Sequence, residues 1–244
     1  MSMEAFIQQA LANPSLLIAA ILTLAVILVN GWTDAPNAIA TCVSTRAIGV
    51  RPAIAMAAVF NFLGVFVMTA VNTSVAMTIY KMVDFGGDAH SALLALCAAM
   101  LAIVIWATAA WYFGIPTSES HALIAGLSGA AIAIQNGFGG INGAEWGKVL
   151  WGLALSTVLG FVMGFGTTKL TELICKGMNR SRTNRVFKHA QIGGGAAMAF
   201  MHGAQDGQKF MAVFLLGVAL ANGQAEASNF TVPLWLMILC SLVM

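Results

Sequence analysis

Asn30-Gly31-Trp32-Thr33-Asp34-Ala35-Pro36-Asn37-Ala38-Ile39-Ala40 interrupts an apolar run with glycine, amides, an acid and a proline. A second stretch, His202-Gly203-Ala204-Gln205-Asp206-Gly207-Gln208-Lys209-Phe210-Met211-Ala212, repeats its pattern. Gly31 aligns with Gly203, Asp34 with Asp206 and Ala40 with Ala212, without a gap. Both put a carboxylate inside a hydrophobic segment, where an ionisable residue reads as functional by default. Duplicated, glycine-broken segments in corresponding positions of two halves point to a midplane site between repeats, as in secondary transporters.

Composition fixes the class. Of 244 residues, 59% are hydrophobic and 8% charged, against about 25% charged in a soluble domain. Mean hydropathy is +0.87, so lipid is the expected solvent. The N-terminus has no basic region or small-residue cleavage site, so no secretory leader is expected. A net charge of +2 gives no ground for nucleic-acid binding. Cys42, Cys97, Cys175 and Cys240 fit no metal or redox spacing and read as small apolar residues. The 14 methionines form no cluster and read as core filling.

A membrane-spanning helix needs roughly 20 apolar residues. Candidates are 15–29 running into the first motif, 52–71, 91–113, 146–168, 191–201 running into the second motif, and 232–244. Residues 116–134 are apolar after a polar start and read as a half-helix or re-entrant hairpin, and 210–220 read similarly. Residues 72–90 and 135–145 read as loops. Trp32, Trp106, Trp111, Trp146 and Trp151 lie near segment ends, as an aromatic belt would.

Six of the eleven basic residues, Lys169, Lys176, Arg180, Arg182, Arg185 and Lys188, crowd one stretch, and Arg46 and Arg51 share another. Both stretches are expected on the cytoplasmic side. The two acidic motifs then lie on segments of opposite direction. The expected fold is an all-α polytopic membrane protein with inverted-topology repeats, broken helices and a re-entrant half-helix hairpin. Residues 1–168 form the first repeat, 169–188 a basic cytoplasmic loop, and 189–244 the start of a second, inverted repeat.

A third polar motif is Gly114-Ile115-Pro116-Thr117-Ser118-Glu119-Ser120-His121. Proline suits the first turn of a helix. The turn after it offers free N–H groups, a positive dipole end and the hydroxyls of Thr117, Ser118 and Ser120, equipment for an anion. The same residues also suit an interhelical packing turn.

The motif Gly31-x-x-Asp34-x-x-Asn37-Ala38, its second copy Gly203-x-x-Asp206, and Pro116-x-Ser118-x-Ser120-His121 resemble the duplicated signatures of the inorganic phosphate transporter (PiT) family. The resemblance implies a cell (plasma or inner) membrane permease, not an enzyme, that moves phosphate with sodium or a proton by alternating access. Joined with the chemistry of the residues themselves, the expected contacts are Thr117, Ser118, Ser120 and Lys209 for phosphate, and Asp34, Asn37, Gln205, Asp206 and Glu119 for the coupling cation. The resemblance implies no cofactor beyond sodium as co-substrate, with possible metal ligation limited to sodium at Asp34 and Asp206. A homodimer is also a family expectation. The chain departs from the pattern at Thr33, Gln205, Lys209 and Glu119, and it ends before a second Pro-x-Ser-x-x-His motif, as a fragment would.

Phosphate is anionic, so Asp34 and Asp206 are poor direct ligands unless a cation or proton intervenes. Lys209 and Glu119 replace neutral residues with opposite charges and are expected either to meet or, for Lys209, to hold phosphate directly. His121 and His202 lack a local second metal ligand and read as polar contacts between helices, while Asn30 and Asn61 line the path or bridge helices. A tetrahedral oxyanion such as sulfate is the runner-up substrate. An intramembrane phosphatase is a weaker alternative, since no arginine lies in any of the three motifs to clamp a phosphoryl group.

Overall fold

The computed structural model describes residues 1–86, 88–223 and 231–244. Among them, regular structure is helical apart from one bridge between Val83 and Ile141. Short α1 (Met3–Ala12) precedes α2 (Pro14–Thr33). A 3-10 turn over Ala35–Ala38 and the five-residue α3 (Ala40–Ser44) lead to α4 (Val50–Val71). Then follow α5 (Ser74–Lys81), α6 (Ala89–Phe113), α7 (Glu119–Gln135), α8 (Gly143–Cys175), α9 (Arg180–Ala221) and α10 (Leu234–Val243). Segments Pro14–Ala38, Val50–Val71, Ala89–Phe113 and Gly143–Cys175 are long and apolar enough to cross a membrane.

The two acidic motifs fold differently. α2 ends at Thr33 because Pro36 has no N–H, and its ring would collide with the carbonyl four residues back. Asp34 caps the end, donating its N–H to the Asn30 carbonyl at 3.0 Å. The second motif has no proline, and α9 runs through it unbroken for 42 residues, about 63 Å at 1.5 Å per residue. The expected second break, and the separate segments 191–201 and 210–220, are therefore corrected to one helix. Gly203 and Gly207 serve close packing: a Cβ on Gly203 would run into the Asn61 carbonyl oxygen, and one on Gly207 would lie 2.6 Å from Val65.

These contacts fix directions. Asn61 meets Gly203 and Val65 meets Gly207, so α4 and α9 run parallel. Asn30 meets Asp206, while Gly217 lies against Leu16 and Ala19, so α2 and α9 run antiparallel. The motif-bearing helices thus point in opposite directions.

At the basic end, the Gln191 amide donates to the Thr41 carbonyl and its oxygen accepts from the Thr45 hydroxyl. This brings the N-terminal third of α9 beside Arg46 and Arg51. The stretch 169–188, expected as a loop, is helical on both sides of a turn at 176–179. Its Lys, Arg, Leu and Glu residues favour helix, and Asn179 caps α9 by accepting from the Ser181 N–H at 3.0 Å. Residues 72–90, also expected as a loop, contain α5. The last apolar run yields only the ten-residue α10.

α6 and α7 form a hairpin. Gly114, at φ +66°, turns the chain in a left-handed conformation that glycine adopts without penalty. The hairpin closes with Trp106 Nε1 donating to Thr117 Oγ1 at 3.0 Å and Gly126 packed on Ile103. At the far end, Gln135 donates to the Asp84 carbonyl. There Asp88 caps α6, accepting from the Ser91 N–H and hydroxyl, and those bonds hold its carboxyl below the usual carboxylate range.

Candidate functional site

Where α2 breaks, where α9 crosses α4 and where α7 begins, their polar residues converge. Asn30, Thr33 and Asp34 lie on one face of α2 at spacings of three and four. His202, Asp206 and Lys209 lie on one face of α9 at spacings of four and three. Glu119 and Ser120 form the first turn of α7.

Asp206 is 7% exposed and is held from four directions. Lys209 Nζ donates to Oδ1 at 2.6 Å, and the Ser120 hydroxyl reaches the same oxygen at 3.4 Å. Asn30 Nδ2 donates to Oδ2 at 3.1 Å, and His202 Nε2 stands 3.5 Å from it. Lys209 also donates to the Ser120 oxygen at 2.5 Å. Lys209 therefore meets Asp206 and Ser120, not Glu119 as one expectation had it. On its other nitrogen, His202 meets the Asn61 amide oxygen at 2.7 Å, and Asn61 donates to the Ala57 carbonyl.

Glu119 is 1% exposed. Its Oε1 is in hydrogen-bond contact with the Thr33 hydroxyl, and that hydroxyl lies 2.9 Å from the Val29 carbonyl. The carbonyl can only accept. A hydroxyl has one proton, so Thr33 shares it between the Val29 carbonyl and Glu119 Oε1. The Glu119 N–H faces the half-buried Asp34 carboxyl. The Asn30 Oδ1 and Glu119 Oε2 acceptors have no hydrogen-bond partner among the described residues.

Asp34, His202 and Asp206 each bring a ligand atom within 4.8 Å of the others, which corrects the expectation that His202 lacks a second metal ligand nearby: Asp206 stands one helical turn on. Two carboxylates with nearby amide and acid oxygens suit a hard cation; the imidazole would broaden the choice toward transition metals.

The other expected site residues lie apart. Ser118 caps α7, its hydroxyl accepting from the His121 N–H at 3.4 Å. Thr117 is engaged by Trp106. Asn37, Gln205 and His121 are exposed. Of the hydroxyls expected to hold an anion, Ser120 alone contacts the acids. Thr33 and His202, not expected as part of the site, belong to it; their helical spacing from Asp34 and Asp206 was the available signal.

The sequence profile of the phosphate transporter family matches residues 30–244. A probable low-affinity inorganic phosphate transporter of Bacillus subtilis (strain 168) is 38% identical over 216 residues, covering 88% of this chain and 63% of the relative. A namesake from Streptomyces halstedii is 37% identical over 180 residues, covering 72% and 80%. The low-affinity inorganic phosphate transporter PitA of Escherichia coli (strain K12) is 33% identical over 224 residues, covering 80% and 44%. The chain thus spans less than two thirds of the length of the first and third. A solved structure titled "The sodium-dependent phosphate transporter" superposes with a TM-score of 0.75 at 20% identity, covering 94% of this chain and 74% of that one. It is a likeness of fold.

Proposed function

The chain belongs to the phosphate transporter family, and on that footing we propose that it is a multi-pass cell-membrane protein importing inorganic phosphate with a coupling cation by alternating access. The observation that carries this reading is the meeting of Asp34, Asp206 and the N-terminal turn of α7 at one place inside the apolar bundle.

The first N–H groups of a helix have no intrahelical partner and carry positive partial charge. At α7 one of them already faces the Asp34 carboxyl, so acid and phosphate compete for the same donors. Two like unit charges about 5 Å apart at an effective dielectric of about 20 repel by roughly 3 kcal/mol, more than a hundredfold in affinity. Sodium or a proton on Asp34 removes that repulsion and frees the donors. Phosphate in turn raises the affinity for the cation, because coupling is reciprocal. Ser120 gives the anion a hydroxyl beside the Lys209 ammonium.

The test is radiolabelled phosphate uptake into sealed proteoliposomes, with and without a sodium gradient at matched pH, and with excess sulfate as competitor. Sodium-driven uptake insensitive to sulfate is expected for a sodium–phosphate symporter. Uptake driven by a proton gradient alone assigns the coupling to a protonatable carboxyl. Inhibition by sulfate exchanges the substrate for the wider oxyanion class, and no uptake under either gradient overturns the transport reading.

A further inference from the structure

The two acids of the site differ in one respect that their matching motifs hide: Asp206 already has a cation. Its Oδ1 lies 2.6 Å from Lys209 Nζ, and the same ammonium is 2.5 Å from the Ser120 oxygen. A carboxylate oxygen and a hydroxyl oxygen are the hard donors that a small alkali cation takes. A carboxylate offers about four lone-pair positions. Lys209, Ser120 and Asn30 take three of those of Asp206, and His202 Nε2 stands 3.5 Å from Oδ2 without a hydrogen bond, so the Oδ1 side of Asp206 is already held by an ammonium. A lysine that merely accompanied the helix would extend its head toward water. This one keeps its side chain 15% exposed and its ammonium on the buried acid. Of the two open acceptors, Glu119 Oε2 belongs to a residue that adjoins Asp34, and Asn30 Oδ1 to the amide that donates to Asp206.

We propose that Lys209 is a tethered cation occupying the cation position at Asp206, so that a mobile coupling cation is left the Asp34 side of the site. Lys209 is then a specificity-determining residue. It neutralises one acid permanently, lets phosphate approach Ser120 without a second ion, and lowers by one the number of cations the site must bind. The uptake arm of the test rests on the transport reading; the binding arm does not.

In the binding arm, the melting temperature of purified protein is followed across a sodium chloride series balanced with choline chloride at constant ionic strength. A ligand that binds only the folded state raises stability with its concentration. Lys209→Gln should gain a sodium-dependent stabilisation beyond that of the wild type, because a buried carboxylate stripped of its partner recruits another cation. The double variant D206N/K209Q should lose that gain. In the uptake arm, phosphate uptake by Lys209→Gln should rise roughly tenfold on adding sodium, a response wild type lacks or shows with one fewer sodium. Equal sodium responses in Lys209→Gln and wild type overturn the proposal. Should Lys209→Gln fail to fold, wild-type sodium stabilisation decides. Loss of it in Asp34→Asn but not in Asp206→Asn supports the tethered cation, and loss in Asp206→Asn overturns it. Absent uptake in wild type removes the transport reading and leaves the sodium-binding comparison intact.

Discussion

At Ser118 and Ser120, two hydroxyls two positions apart serve different ends. Ser118 holds the first turn of α7 together; Ser120 reaches the acids. Ser118→Ala should lower the unfolding free energy by about 1 kcal/mol. Ser118→Asp, itself a good cap, should keep the melting temperature and abolish phosphate uptake, since a fixed anion takes the place of the transported one. Uptake that survives Ser118→Asp moves the anion away from α7. Glu119 calls for a different substitution. Its contact with Thr33 needs a donor if Thr33 donates to Val29. Glu119→Gln supplies an N–H there but cannot carry a proton. It should therefore melt within about 2 °C of wild type and lose any dependence of uptake on the proton gradient. Unchanged proton dependence assigns the proton to another group.

At the scale of helices, one proline separates the two motifs. Pro36 ends α2 at Asp34, whereas the second copy has glycines alone, and α9 passes straight through. Reading both stretches as breaks treated glycine as punctuation. Gly203 and Gly207 instead admit α4, and Gly64 does the same from the other side, where a Cβ would strike the Phe200 carbonyl oxygen. Backbone cannot yield as a side-chain tip can. Gly203→Ala should cost about 1–3 kcal/mol and disturb the neighbouring His202–Asn61 contact. Gly160→Ala on α8, where nothing lies within 4 Å, should cost nothing measurable by thermal melting. The apolar runs behind α2, α4, α6 and α8 were legible in the sequence because twenty-residue hydropathy is a strong signal. The acids were legible because they are duplicated. What could not be read was which partner each short polar side chain takes. Thr117 turns to Trp106, and Gln205, one residue from Asp206, falls on an exposed face. Such choices are set by the crossing of helices distant in sequence.

Across the whole molecule, charge and hydrophobicity agree on an orientation. α4 and α9 both start at the end that carries Arg46, Arg51 and the turn after α8, while α2 and α8 run toward it. α8 has a single buried residue, Glu145, at its first turn, and it exposes Trp151, Leu155, Val158, Phe161 and Phe165 along its length. That surface is compatible with hydrocarbon and not with water. At the opposite end lie Asp84, Asp88, His90 and Gln135, where Gln135 donates to the Asp84 carbonyl and Asn142, the cap of α8, donates to the Lys81 carbonyl. Basic segments stay on the cytoplasmic side of a membrane, so the basic end is expected to face the cytoplasm and the acidic end to face out. Exposed positions at each end make this measurable. With the native cysteines replaced, Lys188→Cys and His90→Cys each give one reporter. A membrane-impermeant maleimide added to intact right-side-out cells should label His90→Cys and spare Lys188→Cys until the membrane is opened. The reverse pattern would turn the molecule over and with it the direction in which α7 presents its N-terminus. Labelling of both in intact cells would mean that α8 does not cross, and that its apolar surface is covered by something other than lipid.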